Sequence, residues 1–253
     1  EMGREEELII GRNAVYEALL ARRRDISKIY IAAGSRGRVI SEIRDMARRL
    51  GIPVQLVERK AFSRISGWRS QGVAARVSPK EYVDFEGLAQ RVAEVKGILV
   101  VLDRVQDPMN LGAIIRNVEA SGAGGVIIPR RGASPLTYAV EKASAGALEY
   151  VPVAAIGSMR HGIEVLKGLG FWVLGVEVGG KPFYEAEMRF PLAIVLGGEG
   201  EGIRRTVLEI CDEVAGIPMA GYVNSINVSV AAGIILYEAM RRGKMGLHSE
   251  GGS

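Results

Sequence analysis

Three turns rich in glycine and asparagine carry the residue types suited to chemistry in this 253-residue chain. Each follows an apolar run and leads into a pattern of helical spacing. They are DRVQDPMNLGAIIRN over 103–117, LGGEGEGIRR over 196–205 and IPMAGYVNSINVSVAAG over 217–233. Open α/β sheets bind their ligands at such turns, where the strands end. The sequence therefore predicts a ligand-binding site at these turns.

The first turn places polar residues at the start of a helix. Asp107 and Pro108 lead the chain out of a predicted strand, Asn110 is a candidate helix cap, and Arg116 lies about two turns further on. A capped helix with a solvated arginine explains this turn without any ligand, so the turn by itself does not establish a site.

The second and third turns are rich in backbone and amide groups. Alternating glycines over 198–202 let the backbone approach a ligand closely. Their spacing lacks the Gly-Lys-Ser/Thr of a Walker A loop and differs from G-x-G-x-x-G. In the third turn, Ser225, Asn227 and Ser229 alternate with apolar residues into the last helix. These hydroxyl and amide groups need partners, which helix capping or a ligand would supply.

Histidine and cysteine are scarce, which bears on the class of protein. With His161, His248 and Cys211 alone, we expect no metal centre, no Ser-His-Asp triad and no internal disulfide. The apolar stretch near the C-terminus is interrupted well short of the roughly 20 residues of a membrane span, and no secretory signal is visible. We therefore expect a cytoplasmic protein without a membrane segment.

Basic charge is concentrated in the first third of the chain. Residues 1–80 hold 17 Lys and Arg against 9 Asp and Glu, whereas the remainder carries a net charge of −4. Lys and Arg bind polyanions because they displace counterions from phosphates. This asymmetry favours a polyanion-binding module joined to a near-neutral or acidic one, although a solvated basic surface without a partner explains the charge as well.

Hydrophobic periodicity predicts two α/β domains. Residues 1–80 show short strand and helix patterns, 81–96 are predicted to be a polar linker, and apolar strands alternate with helical segments over 97–246. Strands that are apolar throughout favour a doubly wound parallel sheet covered on both faces. The closing helix has an apolar side and a small-residue side, which fits either a subunit interface or burial within one chain.

Taken together, the three turns resemble a known family. NLGAIIRN, LGGEGEGI and IPMAGYVNSINVSVAAGIILYE are similar, in order and separation, to motifs one, two and three of the SpoU (TrmH) family of S-adenosylmethionine-dependent RNA ribose 2′-O-methyltransferases. The first 80 residues resemble the ribosomal-protein-like substrate-binding domain of that family. Ser70 departs from the pattern, since close relatives often carry His there, and this leaves substrate placement open.

The resemblance implies the fold and the cofactor site. It implies that the second domain is a SPOUT-type deep trefoil knot, whose knotted loops bind S-adenosylmethionine without a metal. Backbone groups of Gly198, Ile217 and Ile226 would hold the adenosine and methionine parts, with Met219 on the apolar wall. A site lined by backbone groups agrees with the absence of an acidic ribose-binding residue at the spacing of a dinucleotide fold.

The resemblance also implies catalytic residues and a dimer. Arg116 matches the proposed catalytic arginine, oriented by Asn110, Ser225 and Asn227. It would act as a base, if neutralised by its surroundings, or as a clamp for the target phosphate and the emerging alkoxide. Glu199 matches an acidic position of motif two and would serve the site, the loop or a subunit interface. The family works as a homodimer in which the arginine of one subunit approaches the cofactor of the other.

For the substrate, similarity along the whole chain favours a guanosine of large-subunit (23S) ribosomal RNA over transfer RNA. Methylation of transfer RNA, or of another ribosomal nucleotide as in resistance methylases, stays open. So does a ribosome-associated RNA-binding protein without catalysis, for which the basic first domain alone would suffice. A nucleotide-dependent α/β enzyme acting on a small molecule would explain the glycine turn but leave the basic domain without a role.

Overall fold

The computed structural model describes residues 6–66 and 71–249 and divides them into two compact units. The first unit comprises the chain up to Glu81 together with Leu136–Tyr150, and the second comprises Tyr82–Pro135 and the chain from Val151 onward. Ser70 lies outside the described residues. No helix among the described residues is long and apolar enough to cross a membrane.

The first unit is built on a four-stranded mixed sheet of order β1-β4-β2-β3. Strands β1 and β2 are both antiparallel to β4, and β3 is parallel to β2. Apolar side chains of α1 and α2 cover one face of the sheet, and Phe62 of α3 packs on the other. The elements are β1 (Glu7–Ile10), α1 (Arg12–Ala21), β2 (Ile26–Ala32), α2 (Arg38–Leu50), β3 (Val54–Val57), α3 (Arg59–Ser66) and β4 (Val73–Val77).

The second unit contains a six-stranded sheet in which every neighbouring pair is parallel, in the order β10-β8-β9-β5-β6-β7. Helices α4 and α7 pack on one face, whereas α5 packs against β6 and α9 against β9. The elements are α4 (Phe85–Glu94), β5 (Ile98–Asp103), α5 (Pro108–Ser121), β6 (Gly125–Pro129), β7 (Val153–Ile156), α7 (Met159–Gly168), β8 (Trp172–Pro182), β9 (Leu192–Gly197), α8 (Arg205–Leu208), β10 (Glu213–Gly216) and α9 (Val228–Ser249). The predicted parallel-sheet α/β fold is confirmed, and the trefoil knot stays a prediction.

The segment predicted to be a linker, 81–96, is mostly helix. Asp84 caps α4 by accepting a hydrogen bond from the backbone N–H of Gly87, and Leu88, Ala89 and Val92 are buried in the core of the second unit. The prediction of a polar linker is therefore wrong over 85–94. Polar residues alternate with the buried apolar ones along this segment, so its apolar face is not evident from the sequence.

A second difference concerns Leu136–Tyr150, which the sequence placed in the second domain. This segment forms α6 (Tyr138–Ser144) and a 3-10 turn, and it belongs to the first unit. Arg24, whose side chain is 2% exposed, forms ion pairs with Glu141 (2.5 Å) and with Glu149. Lys80 Nζ donates a hydrogen bond to the carbonyl oxygen of Glu149 at 3.3 Å. Residues far apart in sequence thus share one buried charged cluster.

Burial has a large effect on the carboxyl group of Glu141. Loss of hydration raises its pKa, attraction to Arg24 offsets part of this rise, and repulsion from Glu149 adds to it. The resulting pKa is about 7. Between about pH 4.5 and pH 7, the folded protein therefore retains a proton that the unfolded chain releases. The contribution of this carboxyl to stability falls as the pH rises through that range.

Glu141→Gln tests this effect, because glutamine keeps the shape of the side chain but does not titrate. The free energy of unfolding of the wild type, relative to the variant, should fall by up to about 3 kcal/mol between pH 5 and pH 8. Urea unfolding across this range measures it. Glu42→Gln, which removes the ion-pair partner of the exposed Arg38 on α2, is the control and should follow the wild-type profile. Parallel profiles for wild type and Glu141→Gln would contradict the prediction.

Candidate functional site

A cavity of about 360 Å³ opens at the carboxyl end of β9, beside the middle of β8. The pairing of these strands ends at Val176 and Leu196. The ladder between β10 and β8 is also interrupted there, since Val214 pairs with Gly175 whereas Ala215 pairs with Lys181. Residues 176–180 of β8, which lie between these two pairs, are not part of the regular ladder with β10. Side chains of this stretch therefore line the cavity beside the glycine turn.

All four residues predicted to bind the cofactor, Gly198, Ile217, Met219 and Ile226, line this cavity. Three residues predicted to be catalytic, Glu199, Ser225 and Asn227, line it as well. The structure thus brings the second and third turns together in one place. The lining residues are Val176, Glu177, Val178, Leu196, Gly197, Gly198, Glu199, Gly200, Gly202, Ile217, Met219, Ser225, Ile226, Asn227, Val228 and Ala231.

Arg116 is placed differently from the other predicted residues. Its side chain is exposed on α5 and does not line this cavity. The next residue, Asn117, holds α5 to α9 by donating a hydrogen bond from Nδ2 to the carbonyl oxygen of Ser229 at 2.8 Å. Arg116 therefore extends from a helix that is fixed against the third turn.

Asn110 links the first turn to the other two. Its Nδ2 donates a hydrogen bond to the carboxylate of Glu199, and its Oδ1 accepts one from Nδ2 of Asn227 at 2.9 Å. The side chain of Asn110 is buried, so both of its amide atoms find partners within the protein. The expectation that Asn110 caps the helix is wrong: Asp107 is the cap and accepts from the N–H of Met109 at 3.1 Å.

The start of α9 fixes the orientation of both amides. Oδ1 of Asn227 accepts hydrogen bonds from the backbone N–H of Ser229 (2.8 Å) and from its hydroxyl (2.6 Å). Nδ2 of Asn227 is therefore the end that faces Asn110, and Nδ2 of Asn110 is the end that faces Glu199. In the series of hydrogen bonds that runs from α9 to the glycine turn, each donor therefore meets an acceptor. The arrangement directs the Glu199 carboxylate by hydrogen bonds alone.

The glycine turn lies against the end of β5. The N–H of Gly198 donates to the carbonyl oxygen of Asp103 at 2.8 Å. A side chain at position 198 would place its Cβ 2.2 Å from the carbonyl oxygen of Arg104, which is far inside van der Waals contact. Glycine is therefore required here, because the turn must approach the neighbouring backbone closely.

A buried carboxylate anchors the far end of this turn. Asp103 is 0% exposed, and it accepts hydrogen bonds from the backbone N–H of Arg204 (2.9 Å) and from Nε of the same residue (2.9 Å). Nη2 of Arg204 also lies 2.7 Å from the carboxylate. The turn is thereby held at both ends by a single residue of β5.

Glu177 also lines the cavity, and the sequence analysis did not single it out. The available signal was an acidic residue within the apolar run FWVLGVEV, which a strand buried on both faces would not tolerate without partners. Of the lining residues, the two charged ones are carboxylates, Glu177 and Glu199. The described part of the cavity therefore favours a ligand that carries positive charge. The described residues contain no group of three His, Cys, Asp or Glu side chains placed to hold a metal.

Two family models match the chain. The chain matches the SpoU rRNA methylase family over residues 97–237 and the RNA 2′-O ribose methyltransferase substrate-binding domain over residues 8–83. A protein of Staphylococcus aureus strain COL, assigned to the TrmH family of tRNA/rRNA methyltransferases, is 43% identical over 243 residues, which cover 94% of this chain and 97% of that protein.

Solved structures share the fold. The SpoU methyltransferase AviRb from Streptomyces viridochromogenes gives a TM-score of 0.80 at 23% identity and covers 95% of this chain and 91% of its own. An rRNA methyltransferase from Sinorhizobium meliloti, solved with AdoMet bound, gives 0.78 at 24% identity and covers 94% of this chain and 87% of its own. The resemblance of the three turns to the SpoU family is confirmed.

The anchor at Asp103 generates a stability prediction. Arg204→Met removes the guanidinium and leaves a buried carboxylate with only the backbone N–H of residue 204, so the free energy of unfolding should fall by about 2 kcal/mol. Arg205→Met is the matched control: its exposed pair with Glu209 (3.0 Å) should contribute less than about 0.5 kcal/mol. Urea unfolding of both variants measures the difference. Equal losses would show that Asp103 does not need the arginine.

Proposed function

The chain belongs to the SpoU rRNA methylase family, and from this premise we propose that it methylates a ribose 2′-hydroxyl of large-subunit ribosomal RNA with S-adenosylmethionine as donor. The observation that carries the proposal is the joining of the second and third turns around one cavity, to which the first turn is tied by the hydrogen bonds of Asn110 to Glu199 and Asn227. Such a reaction takes place where RNA is made and used, so we expect the protein in the cytoplasm.

The cavity suits S-adenosylmethionine in shape and charge. Ile217, Met219 and Ile226 provide an apolar wall for the adenine, and glycine at 198 leaves backbone groups accessible to the ligand. The carboxylate of Glu199 suits the positive charge of a sulfonium. When bound, this cofactor supplies a methyl group that is already strongly electrophilic. The protein's own residues must then align the ribose hydroxyl and accept its charge.

We propose that Arg116 of one subunit supplies the positive charge that stabilises the ribose oxygen at the cavity of the partner subunit. It is exposed and does not line its own cavity, so a homodimer would bring it to the cavity of the partner. Val230 and Tyr237 support such a dimer: they lie seven residues apart on one face of α9 and are 52% and 48% exposed. A guanidinium in water carries its positive charge, so we favour a clamp on the target phosphate and the emerging alkoxide over a base.

Basic residues of the first unit are proposed to hold the RNA. Strands β1, β2 and β3 run in the same direction, so their carboxyl ends share one edge of the sheet. Arg36 follows β2, and Arg59 and Lys60 follow β3, all three exposed. Cations on one edge can contact several phosphates of a folded RNA while the ribose reacts elsewhere.

Transfer RNA is the second candidate substrate, favoured by the TrmH tRNA/rRNA assignment of the relative from Staphylococcus aureus.

The role of Arg116 is tested with Arg116→Ala. Methyl transfer should fall by about 100-fold or more, because alignment and charge stabilisation are lost, while the Kd for the cofactor stays within about threefold. Incorporation of labelled methyl groups into RNA and calorimetry measure the two quantities. Arg160→Ala, which removes an exposed arginine of α7, is the control and should leave both unchanged. Comparable turnover by Arg116→Ala and the wild type would remove this residue from the mechanism.

Mixed dimers test whether Arg116 acts on the partner subunit. Met219→Trp fills the cavity, so this variant and Arg116→Ala should each be inactive alone. Dimers containing one subunit of each retain one intact pair of arginine and cavity if the pair is formed between subunits. A co-expressed mixture should then recover about a quarter of the wild-type activity. No recovery would place the arginine at the cavity of its own subunit.

The RNA is identified by incubation with labelled S-adenosylmethionine and separate pools of unmodified ribosomal RNA and transfer RNA. We expect label in the ribosomal RNA, whereas label in transfer RNA alone would overturn the ribosomal proposal. RNA binding without any transfer would favour a non-catalytic binder.

The edge of the first sheet that carries Arg36, Arg59 and Lys60, the basic edge, is tested by measuring RNA binding at several salt concentrations. The variant is the triple substitution Arg36→Gln, Arg59→Gln, Lys60→Gln. It should weaken RNA binding and lower the slope of log Kd against log salt by about 2, because phosphate contacts are lost. The matched control is Arg22→Gln, Arg48→Gln, Arg49→Gln. These arginines lie at the C-terminal ends of α1 and α2, away from the basic edge. Equal effects of the two triples would show only a dependence on net charge.

A further inference from the structure

Glu177 occupies a special position in the cavity. It follows Val176, the last residue of β8 that pairs with β9, and it precedes the point where the ladder with β10 resumes. Its backbone is therefore released from the ladder towards β9, and its side chain lines the cavity beside the carboxyl end of β9. Ligands of open parallel sheets bind at this end of the strands.

Two backbone donors fix the Glu177 carboxylate. Oε1 accepts a hydrogen bond from the N–H of Val178 at 3.1 Å, and Oε2 accepts one from the N–H of Ile203 at 2.8 Å. The carboxylate lies against Gly202, where a Cβ would come within 2.4 Å of Oε2 and 2.8 Å of Oε1. No Lys, Arg or His of the described residues forms an ion pair with it. The group is therefore held in place while its charge is left uncompensated by a cation.

The remaining acceptor capacity of this carboxylate matches a particular ligand group. A carboxylate accepts about four hydrogen bonds, and each oxygen here uses one. Each oxygen thus has a further lone pair available, and the two oxygens belong to one planar carboxylate group. Vicinal hydroxyls of a ribose present two donors with similar separation. We propose that Glu177 accepts hydrogen bonds from the ribose hydroxyls of the adenosyl ligand and makes the cavity selective for a ribonucleoside.

This inference rests on the proposed cofactor site and names a residue that the three sequence motifs do not contain. Gly198, Ile217 and Ile226 offer backbone groups and Met219 a thioether, whereas Glu177 offers a charged acceptor. Hydrogen bonds to a charged group are stronger than neutral ones. A ligand without the hydroxyl leaves the acceptor desolvated and unpaired, so discrimination against it is large.

The test measures the Kd of S-adenosylhomocysteine and of its 2′-deoxy and 3′-deoxy analogues by calorimetry with the full chain. For the wild type, each deoxy analogue should bind about tenfold or more weakly than the parent. In Glu177→Ala, the parent should lose about tenfold, and its advantage over the analogues should fall below about threefold. Glu177→Gln retains one oxygen, which can accept from the N–H of Ile203 and from one ribose hydroxyl, but it loses the second acceptor and the charge. Its preference for the parent should therefore lie between those of the wild type and Glu177→Ala.

The control is Glu201→Gln, an exposed carboxylate of the same turn that pairs with Arg104 at 2.6 Å. It should keep the full preference for the parent. Equal losses for parent and deoxy analogues in Glu177→Ala would assign Glu177 a structural role in the turn and overturn the inference. A loss confined to the positively charged S-adenosylmethionine would indicate a charge contact and overturn it too. Failure of the wild type to bind the parent would instead overturn the cofactor site and this inference with it.

Discussion

The functional cavity depends on one buried carboxylate, Asp103 at the end of β5. Its backbone oxygen receives the N–H of Gly198, and its side chain receives both the N–H and the guanidinium of Arg204. A fully buried charge is costly unless it is paired and hydrogen-bonded, so these contacts are strongly coupled to the fold. The glycine turn between the two contacts is thereby held open beside β8 and β9. Without that constraint, a glycine-rich segment would have many conformations of similar energy.

Hydrogen-bond polarity extends this constraint to the catalytic candidates. The backbone N–H and the hydroxyl of Ser229, at the start of α9, determine which end of the Asn227 amide faces Asn110, and this in turn directs the amide of Asn110 towards Glu199. The start of α9 thus orients a carboxylate on another turn. Such networks are effective because each buried polar group must find a partner, and only one arrangement satisfies all of them.

The first unit illustrates a different use of buried charge. Arg24 holds Glu141 and Glu149, which lie more than a hundred residues further along the chain. Burial of two carboxylates around one guanidinium contributes little net stability by itself, but removal of Arg24 would leave both buried carboxylates without their guanidinium partner. The cluster therefore specifies where Leu136–Tyr150 docks more than it strengthens the unit. A segment that the sequence associates with the parallel-sheet domain is held by this charge pairing in the other unit.

The parallel strands and the family can be predicted from the amino-acid sequence. Continuous apolar runs such as ILVVLD and LAIVLG indicate buried parallel strands, and the three turns carry the motifs of the family, because these signals are local or lie in contiguous segments. The sequence analysis missed the helix over 85–94, the docking of 136–150 and the role of Asp107 as the cap. Only the folded structure shows that Arg116 lies outside the cavity, that Asn110 contacts Glu199, and that Glu177 lines the cavity. These depend on where β8 leaves its neighbouring strands and on contacts between residues that are distant in sequence, and no local pattern encodes either.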